Sequence, residues 1–301
     1  MSLIKEFAID PSVMARWSLF DTYWEDFGVE KGRLISKYPI LWKIKVDELA
    51  RKLSKSVQAS AISSKIRKDS YKFLDTGRTY DGKADWLENV AAQQGNQPFH
   101  AVVAYENPKG HTGILIPGEF AKDEPPYKVL AEDFVPRASV ELAACARLLL
   151  VNCSEIQFID PYFDPSEPRF RNTFGAMLGL CSRGVLKHIE IHREKPVPYL
   201  PNVQLDKYQR RLDGLVPKGL RLKVFFWGQT PGGMEMHPRF LLTDLGGIHF
   251  ENGLDEGKPG EMTLVRGVSH PIWEKCRNLY SQKGGAFALA PDCVLDIEGK
   301  K

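Results

Sequence analysis

The stretch HPRFLLTDLGGIHFENGLD sets an imidazole, a guanidinium and a carboxylate at fixed intervals: His237, Arg239 and Asp244. Histidine can attack phosphorus or shuttle a proton near neutral pH. Arginine offers a planar fork that binds two phosphate oxygens and offsets charge in a transition state. Side by side, the two suit phosphodiester chemistry. The apolar residues of RFLLTD predict a short buried strand, with His237 and Arg239 at its start on the same side of the pleat. Asp244 lies at the far end, so contact with His237 would require the strand to curve or a loop to return.

The same three residues resemble the H-x-K-x-x-x-x-D pattern of the phospholipase D superfamily, with arginine in place of lysine. FIDPYFDP (Phe158 to Pro165) and the segment after Pro238 are also similar to the phospholipase-D-like C-terminal domain of MIT-domain proteins and their bacterial relatives. The resemblance covers the chain from about Pro136 onward. It implies that His237 is the nucleophile or its acid partner, that Arg239 binds phosphate, and that two motifs meet at one site without a metal. A chain with a single motif would then work as a homodimer. Two departures stand out. Arginine and lysine differ in reach at a tight site, and the usual G-S-x-N is replaced by Glu251, Asn252, Gly253 and Leu254. Asn252 is either a phosphate donor, with Glu251 supporting it, or half of an Asn-Gly turn.

Two functions follow from the resemblance. One is a metal-independent nuclease acting on DNA or RNA. The other is an inactive phospholipase-D-like module that binds nucleic acid, an anionic membrane or a partner protein within a larger complex. Prokaryotic proteins of this kind often belong to antiphage defence, which implies defence-system partner proteins.

Further polar residues are candidates for the same site. Asp160 ends a predicted strand, where ligand crevices of α/β sheets lie, or it caps the next turn. Arg171, at a helix start, and Arg193, at the end of the neighbouring strand beside His192, could add phosphate contacts, while Arg169 reads as surface. From Lys31 to Arg78 there are 13 Lys or Arg against 4 Asp or Glu, a net +9 that leaves −6 for the rest. Such a block suits a polyanion, with Lys43, Lys45, Arg51, Lys52, Lys65, Arg67 and Lys68 as the nucleic-acid contacts; otherwise it is a solvated helix face.

Other chemistries lose their usual support. There is no phosphate-binding G-x-x-x-x-G-K-[ST] loop, no G-x-G-x-x-G turn, no H-E-x-x-H pair and no G-x-S-x-G elbow, so no cofactor or metal is expected. The 5 cysteines are odd in number and widely spaced, which fits a reducing cytoplasm. The most apolar run, Ala138 to Cys153, is too short for a bilayer and carries Glu141 and Arg147, and the first residues lack a secretory signal. Cytoplasmic residence and no membrane partner are the expectation.

The elements that must position these groups fall into two halves. Asp10-Pro11 predicts a helix start and Gly28 its end, with Val13, Trp17, Phe20, Trp24 and Phe27 on a core face. After Pro39 a second helix should turn Leu41, Ile44, Leu49 and Leu53 inward. FHAVVAYE and TGILIPG, joined by NPKG, predict a short β hairpin. A Pro-rich connector ends near Pro136. Beyond it, strands EIQFID, HIEIH, LKVFFW, RFLLTD and GGIHF alternate with helices, and a last helix runs from Pro271 to Lys283. The fold class is therefore α/β: a mostly helical, basic N-terminal domain (1–136) with a short hairpin, then a phospholipase-D-like mixed-sheet domain (137–301).

Overall fold

Strands of only two to five residues, interleaved with helices, organise the N-terminal half. The computed structural model describes residues 2–181, 185–281 and 285–300. The first half carries strands β1 (Lys5–Ile9), β2 (Arg33–Ser36), β3 (Phe73–Leu74), β4 (Ala101–Val103) and β5 (Ile114–Leu115). Its helices are α1 (Pro11–Met14), α2 (Trp17–Tyr23), α3 (Trp42–Leu53), α4 (Ser56–Lys68) and α5 (Trp86–Gln94). The strands form a sheet in the order β3-β2-β1-β4-β5, and all of its pairings are parallel. Parallel neighbours need long crossovers, which the helices supply. Both faces are covered, as parallel sheets require. Phe7 and Ile9 pack with Trp42, Val46 and Ile62 on one face, and Ala8 and Val102 pack with Tyr38, Val90 and Phe99 on the other.

Three local expectations change here. The supposed hairpin is β4 beside β5 in parallel, with Val102 opposite Ile114 and Val103 opposite Leu115; after NPKG the chain doubles back before entering β5. The stripe on α3 is rotated: Trp42, Val46 and Ala50 are buried, whereas Leu41, Ile44 and Leu53 are 55%, 52% and 42% exposed. Trp42 sets that phase, because burying its ring gains the most apolar area and its indole N–H donates to the Ile9 carbonyl at 2.6 Å. Asp10 does cap a helix, accepting from the Ser12 N–H at 2.8 Å. The helix stops at Met14 and a second begins at Trp17, while Val13, Phe20, Trp24 and Phe27 enter the core as expected.

The chain divides into two compact units, Ile4–Ala131 and Glu132–Lys301, with the first three residues grouped with the second. The boundary therefore precedes the connector's last residues. Glu132–Pro136 is an edge strand, β6, because it pairs antiparallel with β12 (Met262–Gly267). Between them lie α6 (Ser139–Cys145), α7 (Arg147–Asn152), β7 (Glu155–Ile159), α8 (Pro168–Leu180), β8 (His188–Glu194), α9 (Pro201–Leu212), β9 (Arg221–Trp227), β10 (Phe240–Thr243) and β11 (Gly246–Phe250). After them come α10 (His270–Leu279) and β13 (Val294–Glu298). The expected end of the last helix at Lys283 lies outside the described residues.

This second sheet is mixed, in the order β13-β9-β8-β7-β10-β11-β12-β6. β7, β8 and β9 are parallel, and β10 and β11 form the expected antiparallel hairpin. Alternation along β9 serves two cores. Phe225 and Trp227 join Phe240, Leu242 and Tyr280 on one face, while Phe226 meets Tyr208 of α9 on the other, ring centres 5.0 Å apart. Among the described residues no helix is long and apolar enough to cross a membrane.

Candidate functional site

The carboxyl end of β7 and the entry to β10 meet at one edge of the second sheet. β10 runs antiparallel to β7 with Phe240 opposite Ile159, so Asp160 and Arg239, each one residue further out, become neighbours. Arg239 is held on several sides. Its carbonyl accepts from the Phe250 N–H at 3.0 Å, its Nη1 donates to the Glu251 carbonyl at 3.1 Å, and its guanidinium lies 5.3 Å from the Tyr162 ring centre. None of these partners is a carboxylate.

Beneath it lies a buried frame. Asp160 is 1% exposed; its Oδ1 accepts from the Tyr162 N–H at 2.9 Å and its Oδ2 from the Leu254 N–H at 2.9 Å. Burial pushes its pKa above the ordinary carboxylate value, against the pull of those two N–H groups, and neighbouring Asp255 adds to the rise while Arg239 opposes it. Asp255 is bolted by two arginines: Arg137 Nη2 at 2.9 Å and Arg169 Nη1 at 2.8 Å. Arg137 also holds Glu261 at 3.0 Å and donates to the Asn252 carbonyl at 3.3 Å. Within this turn Gly253 has φ +112°. A Cβ there would stand 2.7 Å from Asp255 Oδ1, 3.2 Å from Asp160 Oδ2 and 3.7 Å from Arg239 Cδ. Only glycine fits without displacing the frame that carries Arg239.

The other candidates divide clearly. His237 precedes β10 rather than starting it, and its side chain is 71% exposed with Nε2 3.8 Å from Glu235 Oε2; the strand therefore fixes Arg239 but not the imidazole. Glu251 and Asn252 are exposed in the same turn as Gly253. Asp244 sits at the opposite end of β10, where it accepts from the Ser154 N–H at 2.9 Å, the Ser154 hydroxyl at 2.7 Å and the Glu155 N–H at 3.2 Å. It ties β10 to β7 and does not reach His237. Arg171 donates to the Pro165 and Ser166 carbonyls at 2.5 and 2.9 Å, closing the turn before α8. Arg193 is 9% exposed and donates to the Phe163 carbonyl at 2.8 Å. Both arginines donate to backbone carbonyls of the scaffold.

His192 is likewise internal. It stacks on Phe225 with ring centres 4.9 Å apart, and its Nδ1 lies 3.1 Å from the Trp227 indole nitrogen. An indole N–H can only donate, so Nδ1 accepts and Nε2 carries the proton toward Glu190 at 3.1 Å. Burial lowers the His192 pKa, partly offset by Glu190.

The basic block lies on α3 and α4 of the first unit. Arg51, Lys52, Lys65, Arg67 and Lys68 are exposed, and Lys65 pairs with Glu25. Lys43 and Lys45 are half-buried and lie over the rings of Phe73 and Tyr80 at 4.1 and 5.0 Å; burial lowers the Lys43 pKa, with Lys37 adding to the drop. Sequence reasoning passes over Asp255, Arg137 and Tyr162 and reads Gly253 only as part of an Asn-Gly turn. The nearest signal is Asn-Gly followed closely by an acidic residue. Arg169, which reads as surface, is 53% exposed yet braces Asp255.

No family model matches the chain, and no curated protein matches it. Among solved structures, that of TrmBL2, described as an archaeal chromatin protein with a novel mode of DNA binding, is similar at 12% identity and a TM-score of 0.27. The match covers 57% of this chain and 57% of that one, so this chain spans little more than half of that protein.

Proposed function

We propose that the C-terminal unit is a phospholipase-D-like phosphodiesterase, a metal-independent nuclease that works as a homodimer. The observation that carries this reading is Arg239: its guanidinium is fixed by a carbonyl and a ring face, not by a carboxylate, so its charge is left for an anion. His237 of one copy attacks phosphorus through a ring nitrogen as the bond to the leaving oxygen breaks, and His237 of a second copy gives that oxygen its proton. Water then attacks the phosphohistidine, passing its proton to the second imidazole as the N–P bond breaks. Arg239 binds the non-bridging oxygens throughout. The cations of α3 and α4 would hold the polyanion in the same protein.

A second reading, a silent phosphate-binding module, is favoured by the open setting of His237, 71% exposed with Glu235 no closer than 3.8 Å. One experiment separates the two. Purified protein is incubated with labelled single- and double-stranded DNA and RNA in excess chelator, with His237→Ala alongside. Cleavage by the wild type alone supports the nuclease. Salt-sensitive binding without cleavage supports the silent module, and cleavage by both proteins rejects His237 as the nucleophile.

A further inference from the structure

The N-terminal sheet has a second edge of interest. In the order β3-β2-β1-β4-β5 the chain winds outward in one direction from β1 and then crosses back to start β4 on the other side. In open parallel sheets the crevice outside the carboxyl ends of the two strands flanking such a reversal is where ligands bind. Here those ends are Ile9 and Val103. Asp10 follows Ile9 directly, its N–H donating to the Val103 carbonyl at 2.9 Å, and Tyr105 and Glu106 follow β4.

The groups gathered there are chemically specific. The Arg16 guanidinium carbon sits 3.6 Å from the Tyr105 ring centre, and its buried Nε has no hydrogen-bond partner. Lys45 stands over Tyr80 at 5.0 Å. Asp10 is close enough to feel both Arg16 and Glu106: burial raises its pKa, the Ser12 bonds and Arg16 lower it, and Glu106 raises it again. A desolvated carboxylate seeks hydroxyl or amine donors. An arginine binds phosphate through its Nη donors, and a guanidinium beside a tyrosine ring also offers a stacking surface for a base. The first βα turn, IDPSV, contains no glycine, so a pyrophosphate could not approach its backbone closely and the phosphate must be held by side chains.

We propose that this crevice binds a nucleoside phosphate, with Asp10 accepting from ribose hydroxyls and Arg16 and Lys45 holding the phosphate. The site is separate from the one built on Arg239, and its test does not depend on nuclease activity.

The experiment is equilibrium binding of AMP, ADP and ATP to the full chain by calorimetry, with ribose 5-phosphate and inorganic phosphate as controls. Asp10→Asn is the informative variant, since asparagine caps a helix as well as aspartate does; Arg16→Gln keeps length and polarity. Each should weaken nucleotide binding about tenfold or more, because a hydrogen bond to a charged group is lost, while in Arg239→Ala the binding that depends on Asp10 should persist. The proposal fails if no nucleotide binds at millimolar concentration, if inorganic phosphate binds as tightly as the nucleotides, if both variants bind normally, or if Arg239→Ala removes binding.

Discussion

Both units end in a sheet edge that carries charge, and the two edges handle it differently. In the C-terminal unit Asp160 accepts two backbone N–H groups and Asp255 binds two arginines, and Arg239 is held without a carboxylate partner of its own. In the N-terminal unit Asp10 accepts hydrogen bonds from Ser12, and Arg16 and Lys45 lie on aromatic rings. The first edge is a braced frame around Arg239, and the second is a set of polar groups lying against aromatic rings. Under the two proposals above, bracing would serve a site whose precision must survive chemistry, and open polar groups a site completed by its ligand.

The largest effect expected from this contrast is in Asp255→Ala. It leaves Arg137, only 13% exposed, without its buried partner, a loss of about 3 kcal/mol readable by urea denaturation. Gly253→Ala follows at about 2 kcal/mol, combining a strained φ with the clash against Asp255 and Asp160. It should also weaken oligonucleotide binding, because Arg239 moves with the turn. Asp10→Ala, the counterpart in the first unit, should cost about 1 kcal/mol for the lost cap. If it matched Asp255→Ala, the two edges would be braced alike and the contrast would collapse.

A last effect accrues only in acid. Burial depresses the His192 pKa in the fold, so the unfolded chain takes up a proton first as pH falls through about 6.5. The stability that neutral His192 contributes is present above that value and is lost below it. Thermal midpoints at about pH 7.5 and pH 5.5 should therefore diverge more for the wild type than for His192→Gln; an equal drop in both would place the acid sensitivity elsewhere.

The sequence predicted the second unit better than the first. Apolar strands such as EIQFI and RLKVFFW are five to seven residues long, enough to show themselves between helices. β3 and β5 are two residues each, too short for any period, and β1 is a single run of five residues directly before the Asp10-Pro11 helix start. The phase of α3 went astray because counting apolar positions gives leucine and isoleucine the same weight as Trp42, whose burial governs the helix. At the candidate site, adjacency along the chain found Arg239. Asp255 and Arg137 were hidden because their pairing spans 118 residues, and a buried guanidinium satisfied by carbonyls, as that of Arg193 is, looks like any other arginine in one dimension.

Asp244 carries a consequence for how such motifs are interpreted. It clasps Ser154 and Glu155 at the start of β7, while Arg239 emerges beside Asp160 at the other end of the same strand pair. A slip of one residue would turn every side chain of β10 to the wrong face. The aspartate thus works as a surveyor's peg, driven at one end of a line so that a point at the other end falls where it should. A chain could surrender its reaction and still need that peg, so its presence testifies to alignment rather than to turnover.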